Sequence, residues 1–80
     1  LVVVDSNSGL AGIAFWINSY FNLSGNSDLE KKDPLVAQVN DIVQTLYSDG
    51  RITSMSDEEI IDIMDRIDPI RLRKYLNGKI

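Results

Sequence analysis

The chain contains no cysteine and no histidine. Without cysteine there are no disulfides and no thiolate chemistry, and a secreted domain this small is usually stapled, so a cytoplasmic origin is favoured. Without histidine a serine or threonine nucleophile lacks its usual base, and no lysine is placed beside a serine to substitute for it. No apolar run approaches the ~20 residues that a bilayer span requires, so no membrane partner is expected. With a net charge of −4 and a pI near 4.5, the chain offers no phosphate-binding face, which argues against nucleic acid. It opens on Leu1-Val2-Val3-Val4 without an initiator methionine, a charged leader or a small-residue cleavage site, and reads as a piece of something longer.

What is present is ordinary globular material, 44% apolar and 25% charged. Eighty residues make a single small domain that buries only about 60 to 65% of the surface its unfolded chain exposes, so a docking partner would help its stability. The charge is unevenly spread. Asp57, Glu58, Glu59, Asp62, Asp65 and Asp68 face only Arg66 in one block, and Arg71, Arg73, Lys74 and Lys79 follow with no acid. The expectation is a solvated acidic helix face and a basic tail that satisfy each other weakly.

The apolar spacing predicts an all-α fold: a small bundle of three main helices plus a short C-terminal helix, with a short extended N-terminal segment. Residues 1–6 form an extended lead-in, too short to bury itself and loosely held. Ser6, Asn7 or Ser8 can cap a first helix over 7–22, with Leu10, Ile13, Ala14, Ile17, Tyr20 and Phe21 on its apolar face. Gly9 and Gly12 each cost that helix roughly 1 kcal/mol, which suggests close backbone approach by another element. Residues 22–32 lack periodicity and form a loop. Asp33-Pro34 opens a second helix, 34–49, that buries Leu35, Val36, Val39, Ile42, Val43, Leu46 and Tyr47 and stops at Gly50. Ser56 with Glu59 is a capping box, and Met55 with Ile60 a hydrophobic staple, for a third helix over 57–67 with Ile60, Ile61, Ile63, Met64 and Ile67 inward. Asp68-Pro69 opens the fourth, 69–77, with Ile70, Leu72, Tyr75 and Leu76, before Asn77-Gly78 stops it.

No set of residues reads as a complete active site. Ser48-Asp49-Gly50-Arg51-Ile52 has the glycine and isoleucine of a calcium loop, but the first, third and twelfth ligand places fall on Thr45, Tyr47 and Ser56, where carboxylates are needed. Glu58, Asp62 and Asp65 share one side of a helix; that spacing serves acid–base chemistry only in a dry cleft and equally describes a solvated stripe. Gly9-Leu10-Ala11-Gly12 is too short for either glycine-rich nucleotide signature. Phe15 and Trp16 lie off the main apolar face, either packed under a neighbouring segment or exposed as a docking patch. No catalytic, cofactor-binding or metal-binding residue is assigned.

The order Ser8-Gly9-Leu10-Ala11-Gly12-Ile13, a helix to Tyr20, a helix ending in Tyr47-Ser48-Asp49-Gly50-Arg51, then Ser56-Asp57-Glu58-Glu59-Ile60, resembles the helical region after the catalytic barrel of the isopropylmalate and homocitrate synthase family. These are acyl-CoA Claisen-condensing synthases of the DRE-TIM metallolyase group, and the likeness covers roughly Asn7 to Ile67. The resemblance implies a parent enzyme that condenses acetyl-CoA with a 2-oxo acid at a divalent metal held by the barrel, outside this chain. It implies a lid or dimer-contact role, with the parent's barrel and a homodimer partner as contacts. Family members supply a histidine and a tyrosine from such a subdomain; here the histidine is missing, and the tyrosine is Tyr20 or Tyr47. The alternative from composition alone is a free-standing interaction domain that binds through Phe15, Trp16 and the Val2 to Val4 strand.

Overall fold

The first helix of the computed structural model, α1 (Gly9–Tyr20), packs on α2 (Pro34–Ser48), which packs on α3 (Asp57–Ile67), which packs on α4 (Pro69–Lys79). The structure describes residues 3–23, 25 and 29–79; Leu1, Val2, residues 24 and 26–28, and Ile80 lie outside them. The all-α bundle expected from the apolar spacing is the observed fold. Among the described residues, no helix is long and apolar enough to cross a membrane.

The core is built from Ile13 and Ile17 of α1, Val36, Val39 and Val43 of α2, and Ile60 and Met64 of α3, each at most 1% exposed. Leu72 and Tyr75 of α4 close it. Burying one such aliphatic side chain stabilises by about 1.5 to 3 kcal/mol, so these few positions hold the bundle. Three residues expected inward are not: Ile70 is 79% exposed, Leu10 38% and Leu76 37%.

Helix ends follow local hydrogen bonding. In α2 the Gly50 amide bonds to the Tyr47 carbonyl and the Arg51 amide to the Leu46 carbonyl, with Gly50 at φ 114, a Schellman closure that a side chain would strain. α1 ends the same way on Asn22, at φ 56. Its amide bonds to Ser19, and Leu23 to Asn18. α3 starts on the expected capping box, Ser56 Oγ accepting from Glu59 N at 3.2 Å and Glu59 Oε1 accepting from Ser56 N at 2.9 Å. Met55 and Ile60 are both buried in the core beside it. The fourth helix is not short: it has 11 residues, as α3 does, and runs through Asn77-Gly78 to Lys79. A glycine permits a left-handed stop without requiring one.

The described part of the lead-in, residues 3–6, is held rather than loose. Val4 is 1% exposed and forms an antiparallel bridge with Met55, whose amide donates to the Val4 carbonyl at 2.8 Å. Ser8 precedes α1 but its hydroxyl does not cap the helix. It turns back to the lead-in, accepting from Asp5 N at 2.9 Å and donating to Val3 O at 3.4 Å. This explains Gly12: a Cβ there would lie 2.8 Å from Ser8 Cβ. The close neighbour is thus the preceding turn of the same segment, not another element as the sequence suggested, and Gly9 is placed at the helix start by its φ of 64.

Candidate docking face

Two polar clamps position the helices. Arg71 of α4 reaches the start of α2, where Nη1 and Nη2 donate to Asp33 Oδ1 and Oδ2 at 2.9 and 2.7 Å. Its Nε donates to Tyr75 Oη at 2.7 Å. Asp33 Oδ1 also accepts from Leu35 N at 2.9 Å, so one carboxylate caps α2 and anchors α4. The Arg71 guanidinium, with the Leu35 amide, holds the Asp33 carboxyl below its ordinary value of 3.8 against the opposing effect of burial.

The second clamp orders the α2–α3 loop. Arg51 donates twice to Glu59, at 2.6 and 2.7 Å, and also to the carbonyls of Thr53 and Ser54. Tyr47 Oη donates to the Thr53 carbonyl. The Arg51 guanidinium first, and the Ser56 amide second, bring the Glu59 carboxyl down to about 2 from an ordinary 4.5. A carboxyl held that low stays ionised at neutral pH and is unsuited to general acid or base work, whose ideal pKa lies near the working pH. Both clamps are structural.

Their partners overturn one expectation. Among the described residues, Arg71 of the basic tail is aimed at the start of α2 rather than at the acids of α3, and Glu59 is taken by Arg51. Asp62 pairs within its own helix, with Arg66 at 3.0 Å. Glu58, Asp62 and Asp65 are all exposed along α3. The three calcium-loop places do not converge: Thr45 Oγ1 donates to Asp41 O at 2.9 Å, Tyr47 is engaged at Thr53, and Ser56 caps α3. Among the described residues, no group of three or more histidine, cysteine, aspartate or glutamate side chains is placed to hold a metal ion. These residues therefore do not fit the divalent metal that the resemblance implies.

Of the two tyrosines left open, Tyr20 is half-buried and stacks on Trp16 with centroids 4.8 Å apart, and Tyr47 belongs to the second clamp. Phe15 and Trp16 part company. Trp16 is buried, its Nε1 donating to Asp57 Oδ1 at 3.2 Å, which removes it from any exposed patch. Val4 is buried too, and Val2 lies outside the described residues. Phe15 remains 62% exposed, on the side of α1 that also carries exposed Ala11 and Ser19. This uncharged face is the candidate functional surface.

Two structural residues escaped the sequence reading. Leu29 sits in the loop yet is 3% exposed. Asn18 holds it in place, donating from Nδ2 to the Leu29 carbonyl at 2.9 Å and accepting at Oδ1 from its amide at 2.8 Å. The only signal was a leucine without periodic neighbours.

Comparison with known proteins relates this architecture to large enzymes. Over 74 residues the chain is 38% identical to the Citrate (Re)-synthase of Syntrophus aciditrophicus (strain SB), covering 92% of the chain and 10% of that protein. Over 74 residues it is 30% identical to the Citrate (Re)-synthase of Clostridium kluyveri, covering 92% of the chain and 16% of that protein. The chain thus spans a small part of the relatives it matches and is related to a segment of these synthases. No family model matches it, and no solved structure matches it significantly.

Proposed function

We propose that the chain is the helical lid and dimer-contact segment that follows the catalytic barrel of a cytoplasmic acyl-CoA Claisen-condensing synthase, and that the product of the parent enzyme is citrate. The carrying observation is the similarity to two proteins named for citrate synthesis, which runs through 92% of this chain and only 10% and 16% of theirs. The resemblance of the motifs to the isopropylmalate and homocitrate synthases supports the same reaction type. The name of the relatives' product supports one choice of oxo acid. Citrate divides at one carbon–carbon bond into an acetyl unit and oxaloacetate, so the 2-oxo acid is oxaloacetate and free CoA is released on hydrolysis of the thioester.

The chain's own residues do not perform this chemistry. Its perturbed carboxylates, Asp33 and Glu59, are paired with arginines, and among the described residues no three acidic side chains are grouped to hold a metal ion. Its part is positional: a preformed bundle that closes over a site and excludes water, as lids do.

The test is free-CoA release by the full-length synthase, with acetyl-CoA and a panel of 2-oxo acids. Release with oxaloacetate, above that with 2-oxoisovalerate or 2-oxoglutarate, is the expected result. Preference for 2-oxoisovalerate or 2-oxoglutarate would make the parent an isopropylmalate or homocitrate synthase, and release with no oxo acid would refute the reading.

A further inference from the structure

From Ser6 to Ser27 no residue carries a charge, in a chain that is 25% charged. α1 lies wholly within this stretch. Its inward positions, Ile13, Ala14, Trp16 and Ile17, are uncharged because they are buried. That reason does not reach its outward positions, Ala11, Phe15 and Ser19, which are exposed. The exposed faces of the other helices carry charge: Asp41 alone on α2, among exposed Gln38, Thr45 and Ser48, but Glu58, Asp62 and Asp65 on α3, and Arg73 and Lys74 on α4.

Depletion of charge around an aromatic anchor marks the core of a permanent interface, whereas surfaces that stay wet keep their charges. The size of the face bears on its occupant. A helix of 12 residues is about 18 Å long, and a stripe roughly 10 Å wide along it offers about 200 Å². That is about a quarter of the ~800 Å² per side that holds two free molecules together. It suffices for a tethered partner, whose effective concentration is on the order of millimolar. The relatives supply such a tether, since the segment matched here is 10% and 16% of their length.

We propose that the outer face of α1, with Phe15 as anchor, is seated on the remainder of the synthase's own polypeptide. Ala11 and Ser19, one turn to either side of Phe15, are small enough to let the opposing backbone approach, and the phenyl ring enters an apolar recess there. This inference rests on the reading of the parent as a synthase.

The test installs the photoreactive residue p-benzoylphenylalanine in the full-length synthase at position 15 and, in a second variant that leaves the phenyl anchor in place, at position 19. Position 73, on the exposed face of α4, supplies the background. After illumination the crosslinked peptides are mapped and the products sized on a denaturing gel, and CoA release is measured on the same preparations. The expected result is crosslinking from position 15 or 19 to peptides outside residues 1–80, with the mass of a single polypeptide, at least about tenfold above the background. Crosslinks that join two polypeptides, or none above background from both positions, overturn the proposal. Absence of CoA release with any oxo acid overturns the synthase reading instead, whatever the crosslinks show.

Discussion

Asp33 and Arg71, 38 positions apart, meet through two parallel hydrogen bonds of 2.9 and 2.7 Å. The same carboxylate caps α2. A planar guanidinium matches both carboxylate oxygens, and an asparagine or a lysine cannot reproduce that pairing. The two side chains are 22% and 31% exposed, so the pair is shielded enough to contribute to stability where surface pairs do not.

The clamp and the cap can be separated by substitution. Asp33→Asn keeps an oxygen for the Leu35 amide but loses the ion pair, and is expected to destabilise by about 1 to 2 kcal/mol. Asp33→Ala loses the cap as well, adding about 1 kcal/mol. Urea melts that rank the wild type above the asparagine variant, and that above the alanine variant, are the expected outcome; equal midpoints for the two variants would assign the whole effect to one function.

Gly12→Ala is expected to destabilise by about 1 to 3 kcal/mol, as overpacking does, because the new methyl meets Ser8 Cβ at 2.8 Å and that atom is fixed to the backbone. The sign should reverse when Ser8 is first changed to glycine. In that background alanine removes a helix-interior glycine without a clash and stabilises by up to about 1 kcal/mol. Thermal melts of the four-member cycle decide it, and stabilisation by Gly12→Ala alone would remove Ser8 as the obstacle.

The second clamp sets an acid limb. The folded-state pKa of Glu59 is lowered to about 2 from 4.5, so its contribution is fully present above pH 4.5 and is lost as the pH falls from 4.5 towards 2. Asp33 is also lowered and adds to the loss below its ordinary 3.8. Glu59→Gln retains the reciprocal capping hydrogen bond but not the charge, and should flatten the stability profile across that window. An unchanged slope in urea midpoints measured between pH 6 and pH 3 would show that the Arg51 pair contributes nothing.

The elements that rest on local chemistry were legible in the sequence. The Ser56 and Glu59 capping box, the Gly50 stop and the inward positions of α2 and α3 each depend on residues within about one turn of each other, and the structure has them. What depends on distant partners was not. Arg71 read as a basic tail because nothing local says that it reaches Asp33, and Trp16 read as a possible surface residue because its partner, Asp57, is 41 positions away. Leu29 lacked any periodic neighbour, and Ile70 had the right spacing but no element to cover it. The candidate face was half visible: Phe15 was noted, while its companion Trp16 proved to be core.

The most direct measurement compares CoA release from acetyl-CoA and oxaloacetate by the full-length synthase and by the same enzyme lacking residues 7–80. If this chain is a lid that completes a site it does not itself contain, the full-length enzyme releases CoA and the shortened one, still folded and still binding its divalent metal, turns over roughly ten- to a hundredfold more slowly, as expected when site groups lose their positioning. Equal turnover by the two proteins would contradict a lid role for these helices.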